Sequence, residues 1–175
     1  MCDYCGCRES GPTAELAAEH VKLQLLSERL KARLDAKEDI SDLFTEFTAL
    51  LEMHAAKEEV GLFPKVNGLK VMDDQIAQLI AEHEQLHEQL GSGPVERDVR
   101  AAIKLLSQHI DDEEFDLFPH VIHALDPEDW DEIELAHRAV ESVFLEDAAH
   151  PHDHPHDHPH DHTHDGGTSR RHPSG

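Results

Sequence analysis

His54-Ala-Ala-Lys-Glu58-Glu-Val-Gly-Leu-Phe-Pro64 returns 55 residues later as His109-Ile-Asp-Asp-Glu113-Glu-Phe-Asp-Leu-Phe-Pro119. Each copy sets a histidine four residues before a glutamate. On a helix, residues four apart lie one above the other on one face. A neutral imidazole over a carboxylate is half of a transition-metal site. Two such halves facing each other can hold two ions.

The flanks repeat too. Ala18-Glu19-His20 precedes the first copy and Ala81-Glu82-His83 the second, where His87 follows four residues later. The repeating unit is a helix with one histidine, then a helix with His-x3-Glu. Two copies are too few for a solenoid. Two packed helix pairs make a four-helix bundle, and the fold class expected is all-α.

Apolar periodicity supports four main helices. Leu16, His20, Leu23, Ser27, Leu30 and Leu34 step by three and four, predicting a helix over about 13–34. A second, over about 40–61, carries Ile40, Leu43, Phe44, Phe47, Leu50, Leu51, His54 and Glu58, with Asp39 or Ser41 as its cap and Gly61 and Pro64 ending it. A third, over about 72–90, carries Ile76, Leu79, Ile80, His83, Leu86, His87 and Leu90, with Gly91 as its C-terminal cap. A fourth, over about 95–115, carries Val99, Ile103, Leu106, His109, Ile110 and Glu113. Asp126-Pro127 opens a fifth segment as N-cap and first helical residue, with Trp130, Ile133, Val140 and Phe144 on its apolar side.

Five histidines and two glutamates thus continue the apolar stripes. A single core histidine is ordinarily a satisfied polar residue. Five imidazoles and two carboxylates turned inward on four helices are different, because buried charges are tolerated only when paired or bound to metal. Two octahedral ions offer twelve positions. One bridging oxygen, two bridging carboxylates and five imidazoles fill all but one, which is left for an exogenous ligand. Imidazole with carboxylate suits iron, manganese or zinc rather than calcium or magnesium. A ferritin-like di-iron site needs Glu-x-x-His on two helices, an order and spacing this chain lacks.

The order His, His-x3-Glu, His-x3-His, His-x3-Glu resembles the hemerythrin, or HHE cation-binding, family over about residues 13–120. The resemblance implies an up-down-up-down bundle around a non-haem di-iron centre, two iron ions with a bridging oxygen. It implies His83, His87 and His109 on one iron, His20 and His54 on the other, which is then the open one, and Glu58 and Glu113 as bridges. Hemerythrins proper usually space the last pair as His-x4-Asp, so Glu114 stands beside Glu113 as an alternative bridge. With its Cys arm, acidic surface and fifth helix, the chain is more similar to actinobacterial hemerythrin-like proteins than to invertebrate oxygen carriers. The function implied is binding of oxygen, nitric oxide or peroxide at an open iron position, in oxygen or redox sensing or in peroxide or nitric oxide defence. Catalase-like or oxidase turnover is the enzymatic form of that reading, and metal storage or handling is the alternative.

Composition bounds the partners. The 175-residue chain has a formal charge of −23, and −21 remains before a tail that begins at His150. Such a surface repels nucleic acid and anionic lipid. No stretch approaches a membrane span and the N-terminus has no apolar signal core, so a soluble cytoplasmic protein is expected. The domain reading is a Cys-bearing arm (1–11), a helical bundle (12–149) and a disordered His/Pro/Asp-rich tail (150–175). The tail holds nine of 17 histidines, a composition suited to collecting metal ions or to pH-sensitive solubility. Cys2, Cys5 and Cys7 suit a metal or redox role, or form an incidental arm. His120, His123 and His137 read as structural, and the two Leu-Phe-Pro tripeptides as caps of the core.

Overall fold

The computed structural model describes residues 11–149, apart from residue 71. The Cys arm and the His-rich tail lie outside them. Among the described residues all regular structure is helical. The elements are α1 (Gly11–Ala36), α2 (Ser41–Lys57), α3 (Phe63–Asn67), α4 (Asp73–Leu90), α5 (Glu96–Asp112), α6 (Phe118–Ala124) and α7 (Pro127–Ala149). A π-helical turn joins α2 to α3 over Glu58–Leu62, and another joins α5 to α6 over Glu113–Leu117. The result is a helical bundle in which α1 packs on α2 and α5, α4 packs on α5, and α7 lies against α1, α2 and the first π turn.

The start expected for α7 holds, whereas α2 has Ile40 rather than Asp39 or Ser41 at its N-cap. Asp126 Oδ1 accepts the Asp129 N–H, so Asp126 caps α7 with Pro127 as its first residue. Asp39 Oδ1 accepts both the N–H and the hydroxyl of Ser41 at the head of α2. Two ends differ. Gly91 is helical at φ −62°, and the left-handed residue of that turn is Gly93 at φ +86°. The helix carrying His54 and Glu58 does not stop at Gly61 either. Phe63 N–H reaches back five residues to the Glu58 carbonyl, as Phe118 N–H does to Glu113.

Proline explains both π turns. In an α-helix, the ring of Pro64 would press on the carbonyl of Val60 and offer it no N–H; Pro119 stands in the same relation to Phe115. Admitting one extra residue to the turn relieves the clash and lets the helix run on. It also re-phases the chain by about one residue, roughly 100° of rotation. Leu62, Phe63, Leu117 and Phe118 are thereby buried, while Val60 and Phe115 stay exposed.

Two apolar clusters fill the bundle. One runs from Leu23 and Leu30 through Phe47 and Leu86 to Val99 and Leu106. The other gathers Leu16, Leu62, Phe63, Ile76, Leu79, Leu117, Phe118 and Ile133. Between them, at the level of His20, His54, His83 and His109, lies a buried polar layer.

Candidate metal centre

Each of four helices sends one imidazole into that layer: His20 from α1, His54 from α2, His83 from α4 and His109 from α5. The π turns add Glu58 and Glu113, the first residue of each. His54, His109 and both carboxylates have no exposed surface.

The hydrogen bonds assign the two nitrogens of every ring. His20 Nδ1 lies 3.1 Å from Glu114, His54 Nδ1 2.9 Å from Glu19, His83 Nδ1 2.8 Å from Glu59, and His109 Nδ1 2.8 Å from Glu82. A carboxylate only accepts, so each Nδ1 is the protonated donor and Nε2 carries a lone pair. Those lone pairs meet. The Nε2 atoms of His20 and His54 are 3.0 Å apart, and those of His83 and His109 are 3.1 Å apart.

The carboxylates stand between the two imidazole pairs. Glu58 turns Oε1 to His54 (3.4 Å) and Oε2 to His83 (3.2 Å). Glu113 turns Oε2 to His20 (3.1 Å) and Oε1 to His109 (3.4 Å). Each thus offers one oxygen to each pair, the disposition of a bridging carboxylate. None of these four buried oxygens accepts a well-formed hydrogen bond. His20, His54, Glu58 and Glu113 form one group able to hold a cation; Glu58, His83 and His109 form a second.

Facing lone pairs and orphaned anionic oxygens repel one another in a dry interior. Either protons or cations must resolve this. Without metal, protons do. Burial opposes charge on His20, but the Glu113 carboxylate 3.1 Å from its Nε2 and the Glu114 carboxylate on its Nδ1 outweigh it and push its pKa up to about 9. Burial likewise opposes charge on His109, which the Glu113 and Glu58 carboxylates and Glu82 push up to about 11. Burial works against ionised Glu58 too, yet the surrounding imidazoles hold it well below the usual carboxylate range. A donor set of imidazole nitrogens and carboxylate oxygens that gives up these protons to a cation fits a pair of first-row transition-metal ions.

The walls are aromatic and duplicated. Phe118 lies parallel to His20 at 5.7 Å, and Phe63 stacks on His83 at 5.7 Å. The Leu-Phe-Pro tripeptides therefore do more than cap the core, since their phenyl rings back two of the imidazoles. The four Nδ1 partners were not read from the sequence as part of the site. Their signal was present, because Glu19, Glu59, Glu82 and Glu114 each sit next to a site residue in both repeats.

The structure brings together six of the seven expected site residues and leaves out His87. That side chain is exposed, one turn beyond His83, and borders a groove between α2 and α4. The polar layer is a single turn deep, so sharing a face with His83 carries His87 past it. Of the two candidate bridges, Glu113 faces the centre and Glu114 holds His20. His120 and His123 are exposed, whereas His137 is buried with Nδ1 3.1 Å from Glu15.

One part of the surroundings is not duplicated. The Lys57 side chain is fully buried, its ammonium 2.6 Å from Glu19 and 2.8 Å from Glu141 and also bonded to Glu15. Burial works against the ammonium, but these three carboxylates raise its pKa above the ordinary lysine value. The equivalent position in the second repeat is Asp112.

This bundle and its paired His/Glu clusters define a helical metal-binding domain. The profile of the hemerythrin HHE cation-binding domain matches residues 11–121, and the chain belongs to that family. No curated protein and no solved structure is significantly similar to it. Among the described residues, no helix is long and apolar enough to cross a membrane.

Proposed function

We propose that the chain is a non-haem di-iron protein that binds oxygen, nitric oxide or peroxide at an open metal position. The observation that carries this reading is the convergence of four imidazole Nε2 atoms on two carboxylates whose oxygens have no hydrogen-bond donor. His20 and His54 would hold one ion, His83 and His109 the other, with Glu58, Glu113 and an oxygen bridging. We read the four main helices as alternating up and down around them. Four imidazoles leave one more coordination position free than five would. The irons would supply electrons to, or accept them from, a small ligand.

The chain's own residues do the rest. Glu19, Glu59, Glu82 and Glu114 fix each imidazole in the tautomer that turns its lone pair inward, and they raise its basicity. Phe63 and Phe118 keep water from the rings. Sensing, or defence against peroxide or nitric oxide, is the role this supports. The metal-handling alternative rests on the composition of residues 150–164. Under that reading, removing 150–175 slows metal uptake while leaving the final spectrum intact.

The test is metal analysis with an optical spectrum before and after peroxide. His54→Ala should lower metal content and remove the oxo-bridge absorption, while His123→Ala and His87→Ala should leave both as in the unaltered chain. Unchanged metal content and spectrum in His54→Ala would sink the assignment.

A further inference from the structure

The two halves of the metal centre are built from the same repeat, yet they differ in what covers them. The His20–His54 half is sealed. Both rings are at most 1 % exposed. Behind His54 lies Glu19, held by the buried Lys57 ammonium, and Lys57 is closed over by Glu141 of α7. α7 also covers the first π turn, where His137 fits against Gly61. Between α1 and α5 lies a recess of about 40 Å³ that no site residue borders.

The His83–His109 half is approached differently. Between α2 and α4 runs a groove of about 450 Å³ walled by Leu51, Ala55, Leu86 and Leu90, and His83 forms part of its lining. His83 is the most exposed of the four imidazoles, at 6 %. Its Nδ1 partner, Glu59, also borders the groove, and His87 stands there one turn away. No helix equivalent to α7 lies over this face among the described residues.

From this asymmetry we infer that exogenous ligands reach the metal centre through the α2–α4 groove and meet it at the His83–His109 half. This rests on the function proposed above, but it reverses the half that the family resemblance implied to be open. The ligand is a small neutral molecule. Apolar walls admit one without a desolvation penalty, whereas the acidic side chains of Glu52, Glu59 and Glu84 along the groove oppose the entry of an anion. His87 becomes a residue of the entry path rather than of the metal's ligand set.

Two measurements test this. The first needs no metal. A neutral nitroxide added to the metal-free full chain should relax the His83 ring protons several-fold faster than those of His20 or His54. Equal or faster relaxation of His20 or His54 would overturn the inference, whatever metal the protein carries. The second uses the metal-loaded full chain and nitric oxide, followed by stopped-flow absorbance. Ala55→Trp should fill the groove and slow association at least tenfold, with metal content unchanged. Ser107→Trp, on the exposed α1–α5 face, should leave the rate as it is. An unaltered rate in Ala55→Trp, or slowing confined to Ser107→Trp, refutes the path. Failure of the unaltered chain to hold metal or to bind nitric oxide speaks instead against the proposed function.

Discussion

Lys57 is the residue on which the two halves of the site diverge most. Its ammonium neutralises three carboxylates, of which Glu15 and Glu141 are partly exposed while Glu19 is only 5 % exposed. Lys57→Met keeps the bulk and removes the charge, leaving Glu19 as a buried anion with only His54 for company. Breaking a buried ion pair from one side costs about 3–5 kcal/mol, and we expect that loss in urea denaturation of the metal-free chain. Glu19 would also hold His54 less firmly, so the metal-loaded variant should show an altered spectrum. A variant as stable as the parent would mean the cluster is solvated. None of this was legible in advance, because Lys57 is one lysine among fifteen basic residues and nothing local marks it as buried. His54 and Glu58 were legible because their burial breaks a rule that apolar stripes otherwise obey. The same rule put His87 among the expected ligands, and the structure places it exposed, one turn beyond the layer. Spacing tells which face a residue shares but not how deep the polar layer runs along it.

At the scale of elements, the stripes gave the helices and the repeat gave their pairing, but the π turns were hidden. Pro64 and Pro119 carry the signal of a break, and tertiary packing of Leu62, Phe63, Leu117 and Phe118 turns that break into a widened turn. Only the first π turn lies under α7, and the two copies differ there. Gly61 meets His137, whereas its equivalent, Asp116, is exposed. A Cβ on Gly61 would come within 2.9 Å of the His137 ring, which is 1 % exposed and tied to Glu15. Gly61→Ala should therefore destabilise by about 1–3 kcal/mol, the usual cost of overpacking, with Asp116→Ala nearly neutral. Denaturation curves of the two variants decide it. Equal curves would mean that α7 yields easily and is not firmly seated on the site.

At the scale of the whole molecule, the centre exchanges protons for metal, and this sets the pH dependence of stability. In the metal-free chain His20 and His109 have folded pKa values of about 9 and about 11, against an unfolded value near 6.5. Both are raised, so their contribution to stability is complete below about pH 6.5 and is lost as pH climbs through 9 toward 11. Glu58 is shifted down, so its contribution is present above the unfolded glutamate value near 4.3 and disappears on acidification. The metal-free protein should be firmest in weak acid, and its Tm should fall between about pH 6 and about pH 9.5. Metal ions take the place of those protons, so binding releases protons and tightens as pH rises. The Tm gap between loaded and metal-free chains should accordingly widen over the same interval. Calorimetric titration of metal in two buffers of different ionisation enthalpy would count the protons released. A metal-free Tm that holds or rises toward pH 9.5 would show that His20 and His109 are neutral without metal. The facing lone pairs would then have to be relieved by movement of the helices.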